Sequence, residues 1–336
     1  MEKRYKNLVK DLLVKSGILR LADQVNSPKI AILRYHSIQH HPETFSHSIG
    51  VGIIHSKLIF EEEMELLARK FNPVTVDEIL LFLKGGMRVP KRPVAITFDD
   101  GFTDNFEVAK PILDRFGIRA TFYVTVNSIE SKTPPWFCRL RNAFWTTKRE
   151  EYLDSEKGRL WKFENWEKRN DAFLFACERC ARLAGDSQTE AVRLIENTLD
   201  VEPVAAKQGI MMTWDQMRKL HQAGHTIGSH TLTHPNLAHI GNEDLHRELV
   251  ESKRVLEDKI GTSIIHFSYP SPILQPHWTE RTIEVTKQAG YETAVTCTSG
   301  SVSASTNPLS LSRIWVPADR NEFLWNLECT LLGRKM

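Results

Sequence analysis

Short apolar runs alternate with helical patterns along most of this chain, and that alternation limits the folds open to it. Ile30–Tyr35, Val94–Phe98, Ala120–Val126, Thr226–Ser229, Ile264–Ser268, Thr293–Val295 and Leu311–Val316 read as strands. Helical periodicity occupies 57–71, 76–84, 104–116, 214–223, 242–259 and 279–289. Strands separated by helices predict parallel pairing with helices outside, as an open sheet or a barrel. Pro111 falls inside the 104–116 pattern and predicts a kink or a late start there.

Residues 130–210 break this rhythm. They hold Trp136, Trp145, Trp161 and Trp166, many charges and little strand character, and read as a helical insertion between two strand–helix units. No internal repeat and no flexible linker sets the insertion apart, so it elaborates one domain. The chain then divides into an N-terminal helical region at 1–29, a main body over 30–320 and a C-terminal tail at 321–336.

Composition bounds the function classes. Hydrophobic residues make up 41% and charged residues 26% of the 336, which predicts a packed core. A formal net charge of +2 and the lack of a basic groove pattern argue against a nucleic-acid partner. No apolar run approaches the roughly 18 residues of a membrane span. The five cysteines are odd in number and irregularly spaced, so no disulfide framework is expected. Cys177-x-x-Cys180 reads as a pair of ordinary, partly buried cysteines rather than a zinc or redox site.

Residues 1–20 lack the apolar stretch and cleavage pattern of a secretory signal, so the expected location is the cytoplasm or the inner face of a membrane. Tyr5, Leu8, Val9, Leu12 and Leu13 follow a helical period among Lys3, Arg4, Lys6, Lys10, Lys15 and Arg20. Such a helix either packs on its own domain or makes peripheral contact with a membrane surface.

Two clusters carry chemistry. Asp99 and Asp100 follow a strand directly, and strand alternation sends their carboxylates apart, one toward a metal and one toward substrate. Gly101 permits a sharp departure of the chain. His230 and His234 follow Thr226–Ser229, and their spacing predicts two imidazoles on one side of a helical turn. Two His and one Asp leave a coordination position open for water, the pattern of a catalytic zinc site. Taken singly, each motif is as readily a turn or a pair of surface histidines.

Together they resemble the polysaccharide deacetylase family, also called the NodB-homology family or carbohydrate esterase family 4. Thr97-Phe-Asp-Asp-Gly101 is similar to its first motif and Ser229-His-Thr-Leu-Thr-His234 to its second. The likeness covers about 30–128 and 212–316. It implies an α/β fold, a distorted (β/α) barrel of about seven units. It also implies one divalent metal, zinc by expectation, held by Asp100, His230 and His234, with Asp99 as catalytic base. The implied reaction removes the N-acetyl group of an amino sugar in a polysaccharide or glycan intermediate. An O-acetyl esterase and a silent carbohydrate-binding protein are the alternatives.

The chain departs from the family twice. Where the third motif carries arginine, this chain reads Ser268-Tyr-Pro-Ser271, and Arg313 is either the replacement or a partner in a structural ion pair. The Ser271 N–H is the expected oxyanion donor. No Leu-x-His stands near the C-terminus; instead Arg34-Tyr-His36 closes the first strand. This resembles the permuted branch of poly-N-acetylglucosamine and exopolysaccharide deacetylases, which implies His36 as general acid. Tyr269 and Trp315 are expected to face sugar rings, as is Trp136 if the insertion covers the cleft. His277 is a second candidate for sugar contact. His40, His41, His47 and His55 read as solvated loop residues, and His225 as structural.

Overall fold

The structure is a computed structural model that describes residues 28–45, 49–154, 156–203 and 209–334. The amphipathic stripe from Tyr5 to Leu13, on which the membrane-contact expectation rests, and His47 lie outside the described residues. In chain order the described strands are β1 (Ala31–Tyr35), β2 (Ser37–Gln39), β3 (Ile54–Ser56), β4 (Asn72–Pro73), β5 (Pro93–Phe98) and β6 (Thr121–Val124). They continue as β7 (Glu151–Asp154), β8 (Arg159–Lys162), β9 (Thr226–Ser229), β10 (His266–Ser268), β11 (Thr293–Val295) and β12 (Ile314–Trp315).

Seven parallel strands run in the order β11-β10-β9-β6-β5-β1-β12, with β4 beside the start of β5. Leu311 bridges Val295 of β11, and three residues on Ile314 pairs with Leu33 of β1. One segment thus touches both edges of the curled sheet, and the architecture is a distorted (β/α) barrel. Alternation sorts the side chains. Ile32, Ala95, Tyr123, Val295 and Leu311 pack together inside the barrel. Leu33, Ile96, Phe122, Phe267 and Ile314 face the helices. Full burial of each such aliphatic or aromatic side chain stabilises the fold by about 1.5–3 kcal/mol. Gly228 makes room for Tyr123, because a Cβ there would lie 2.5 Å from the tyrosine ring.

Helices Val76–Leu83 and Trp214–Gln222 start at full capping boxes, Thr75 with Glu78 and Thr213 with Gln216. The segment after β5 runs as a π turn, Asn105–Ala109, into an α-helix at Lys110–Arg115. Pro111 sits at that helix's start, where its missing N–H leaves no intrahelical bond unmade.

The insertion folds around a core of its own that includes Leu140, Phe144, Tyr152, Val192 and Ile195. Its helices are Trp136–Thr146, Trp166–Ala181 and Gly185–Thr198, and Cys177 and Cys180 are buried thiols within the second. It also carries the antiparallel hairpin β7–β8, which the sequence reading missed. The expected tail is largely a helix, Arg320–Leu331, whose Phe323, Leu327 and Leu331 recur every four residues and enter the main core. His55 is likewise not solvated. It is buried, with Nε2 3.1 Å from Glu63, and the Tyr35 hydroxyl donates to the same carboxylate oxygen at 2.8 Å.

Candidate metal centre and cleft

Asp99 follows β5 and points into the barrel, where it is 2% exposed. Arg313, 1% exposed, grips it from the segment that leads into β12, two strands away across β1. Nη1 donates to Oδ1 at 2.7 Å and Nη2 to Oδ2 at 2.6 Å. Ser268 Oγ reaches Oδ1 at 3.3 Å and accepts from Arg313 Nη2 at 3.0 Å. The guanidinium is fixed in turn by the Thr296 carbonyl at 3.0 Å. Burial alone raises the Asp99 carboxyl, but the Arg313 charge, then that of His230, outweighs it and holds Asp99 below the usual carboxylate range.

At Asp100 the chain turns away from the sheet with φ 76, followed by Gly101 at φ 90. A Cβ on Gly101 would meet Ile129 and Val124 at 3.1 Å, so conformation and space both demand glycine. Asp100 then faces the histidines, with Oδ1 3.6 Å from Nε2 of both His230 and His234. Donor atoms of these three buried residues all lie within 4.8 Å of one another. Burial first, and then the Asp99 charge, push the Asp100 carboxyl well up.

The two histidines do not share a helical turn. Thr231 and His234 adopt φ 69 and 60, and a loop carries the pair. Thr231 Oγ1 accepts from the His234 N–H at 3.0 Å. Glu248 accepts from the Leu232 and Thr233 N–H groups at 2.8 and 2.9 Å and from Thr233 Oγ1 at 2.5 Å. His230 Nδ1 lies 2.7 Å from the Ser268 carbonyl, which fixes the proton there and leaves the Nε2 lone pair toward Asp100. Burial, with His230 adding to it, lowers His234 well below its ordinary value, so the imidazole is neutral and able to ligate.

The donor set fits a divalent ion on a specific observation. Both Asp100 oxygens and His234 Nδ1 are buried without a hydrogen-bond partner. An unpaired buried carboxylate is costly unless a cation satisfies it. An N₂O donor set suits zinc and related ions.

A cleft of about 450 Å³ opens over this cluster, lined by Arg34, His36, Asp100 and Ser271 from the barrel and by Trp136 and Phe137 from the insertion. The insertion therefore forms one wall. Trp136 Nε1 donates to the His234 carbonyl at 2.9 Å, and the Phe137 ring lies 4.9 Å from the His234 ring. Burial, opposed by Asp99 and assisted by Arg34 and Arg313, lowers His36 to about 3. Its backbone carbonyl accepts from Asn105 Nδ2 at 2.6 Å. Trp315, 48% exposed, borders a second cavity on the far side of His36.

Tyr269 corrects the sugar-binding expectation. It is buried, its hydroxyl donates to the Leu309 carbonyl at 3.1 Å, and its ring packs on Phe267 and Trp278. Strand parity puts it on the helix side of the barrel, away from the cleft. His277 approaches Gln275 at 3.4 Å and does not line the cleft. His225 is structural, accepting from the Ala120 N–H at 3.2 Å. Glu248 went unread, yet it had a signal: a carboxylate within the buried stripe Leu245, Leu249 and Leu256 demands a partner.

A parallel barrel with carboxylates and imidazoles gathered at the C-terminal rim of its strands places the chain among the (β/α) barrels that carry their site at that rim. Its family is equally plain: the polysaccharide deacetylase model matches residues 86–294, and the chain belongs to that family. It is similar to the Bacillus subtilis (strain 168) protein YxkH, named as a polysaccharide deacetylase, at 22% identity over 289 residues. That match covers 86% of this chain and 71% of the relative. The fold matches the Streptococcus pyogenes deacetylase PplD in complex with acetate at TM-score 0.60 and 20% identity, over 91% of this chain and 99% of that one. It also matches IcaB from Ammonifex degensii at TM-score 0.57 and 15% identity, over 90% and 98%.

Proposed function

We propose that this protein is a metal-dependent deacetylase that hydrolyses the N-acetyl group of an amino sugar in a glycan. The observation that carries the reading is the Asp100 carboxylate, buried with both oxygens unpaired and turned to two imidazoles. Family membership supplies the substrate class, and the related deacetylase PplD is solved with acetate, the product expected here.

Asp100, His230 and His234 would hold the ion, zinc by the chemistry of the set. When bound, it supplies Lewis acidity to a water and to the acetyl carbonyl. Asp99 takes the proton of the attacking water. The Arg313 fork keeps that carboxylate ionised and oriented, which is what the arginine missing from the third motif would do. Ser271, on the cleft wall, offers its backbone N–H to the developing oxyanion. His36 protonates the leaving amine. With its value lowered to about 3, His36 is neutral between turnovers and acquires its proton within the cycle.

The test is acetate release from N-acetylglucosamine oligomers by the purified chain, with and without chelator, alongside elemental analysis. Acetate release that stops on chelation and returns with zinc is expected. Full activity in metal-free protein would refute the mechanism. Release from O-acetylated but not N-acetylated sugars would reassign the bond cleaved.

A further inference from the structure

Arg34 takes no part in the steps above, yet it stands beside them. It lies one residue before the end of β1, on the same strand face as Ile32 and in register with Thr97 and Trp315. It lines the main cleft with Asp100, His234 and Ser271, and also the adjoining cavity of about 270 Å³ with His36 and Trp315. Its Nε is buried and unpartnered, and no described carboxylate forms an ion pair with it. Of the nearby carboxylates, Asp99 is held in the Arg313 fork and Asp100 faces the histidine pair.

A guanidinium stays charged at any working pH and presents five donors in a planar fork. Arg34 is partly exposed, but its buried Nε is costly to leave unpaired unless a ligand completes it. A second guanidinium, Arg141, faces the same cleft from the insertion and packs 4.6 Å from the Trp145 ring. Among the described residues that line the cleft, Asp100 is the one carboxylate. Barrel and insertion thus each bring a cation to a space whose carboxylate is reserved for an ion.

We infer that the cleft selects an acetylated amino sugar bearing a negative charge beside the acetamido ring, phosphate or carboxylate, and that Arg34 is the group that reads it. The inference rests on the deacetylase reading for the acetyl group and on Arg34 for the charge. A planar fork meets either anion through two parallel bonds. The adjoining cavity leaves room for the charged substituent, with the Trp315 ring at its edge.

The test compares kcat/KM for N-acetylglucosamine 1-phosphate, N-acetylmuramic acid and neutral methyl N-acetylglucosaminide, using the full chain and its Arg34→Met and Arg34→Lys variants. The sugar phosphate and the muramic acid separate the two anion sources. Preference for one anionic sugar over the neutral one is expected, and Arg34→Met should reduce that ratio roughly 10- to 150-fold, the worth of a charge-assisted hydrogen bond. Arg34→Lys should lose less, since it keeps charge without the fork. It carries the comparison alone if the methionine variant does not fold. Calorimetry with glucosamine 1-phosphate, which has no acetyl group to lose, should show the same order of binding. An unchanged ratio, no anionic preference, or loss of bound metal in both variants would overturn the inference. If no sugar releases acetate while calorimetry still depends on Arg34, the anion site stands and the deacetylase reading falls.

Discussion

Replacing Arg313 with methionine tests the barrel's innermost ion pair. The substitution removes two bonds to Asp99, at 2.7 and 2.6 Å, and leaves a carboxylate that is 2% exposed. Removing one partner of a buried pair costs about 3–5 kcal/mol, because the other charge stays behind unpaired. In urea that is a midpoint shift of roughly 1–2 M for a domain with a slope near 3 kcal/mol/M. The cost has a pH signature. In the native protein Asp99 is held below its unfolded value, so the pair's stabilisation is present above about pH 4 and fades as pH falls toward the native value. In the variant burial outweighs what His230 still contributes, the folded value lies above the unfolded one, and stability declines as pH rises past about 4. The gap between the two proteins should therefore widen from pH 4 to pH 7.5. Urea denaturation followed by tryptophan fluorescence at both values measures it. The double variant Asp99→Asn, Arg313→Met should recover much of the loss. A gap below about 1 kcal/mol at pH 7.5, or one that narrows with rising pH, would refute the argument that the pair is dry and mutually dependent.

Four further outcomes are expected. His36→Ala should retain its metal yet slow amide hydrolysis about 10²–10⁴-fold, and slow an activated ester much less, because that leaving group needs no proton; equal losses, or lost metal, would remove it as the acid. Glu248→Gln should weaken metal affinity roughly 10- to 100-fold by loosening the loop between His230 and His234, as read by competition with a chromophoric chelator. Tyr269→Phe should lower stability by about 1 kcal/mol through the lost Leu309 bond and leave KM unchanged, whereas a raised KM would restore it to the cleft. Deleting residues 1–20, which hold six basic residues against two acidic ones, should shift the protein from membrane to soluble fractions if that segment holds it at an inner membrane face; an unchanged fraction would remove the segment from the account.

The strands were legible because each is an apolar run bounded by helical periodicity, and all seven predicted runs contribute to the parallel sheet. Asp99 and Asp100 were legible because they fall where a strand ends, in the fold class that gathers chemistry there. The histidine loop was misread as a helical turn because spacing alone cannot report two positive φ values, nor a glutamate 14 residues downstream of His234 that collects the loop's N–H groups. The hairpin in the insertion was hidden by its polarity: Tyr152 and Asp154 are buried while Glu151 and Leu153 are exposed, so no apolar run marks it. Tyr269 was misplaced because an aromatic side chain does not itself report strand parity, which turns it toward Phe267 and Trp278. Arg313 was legible as the candidate to replace the third-motif arginine, and it does hold Asp99, 214 residues earlier; the two-pronged geometry of that pair is a tertiary fact.

That separation has a biosynthetic consequence. A ribosome adding about 5–20 residues per second makes Asp99 roughly 10–40 s before the arginine that neutralises it. Through that interval β1 lacks one neighbour, since β12 follows Arg313 directly, and an ionised Asp99 resists burial. The nascent barrel should therefore stay open until the last segment leaves the exit tunnel. Stalled chains ending at 312 should be cut by protease across β5, and chains extended well past 336 by a linker should resist. Resistance in the shorter chains would show that the ring seals without its final strand.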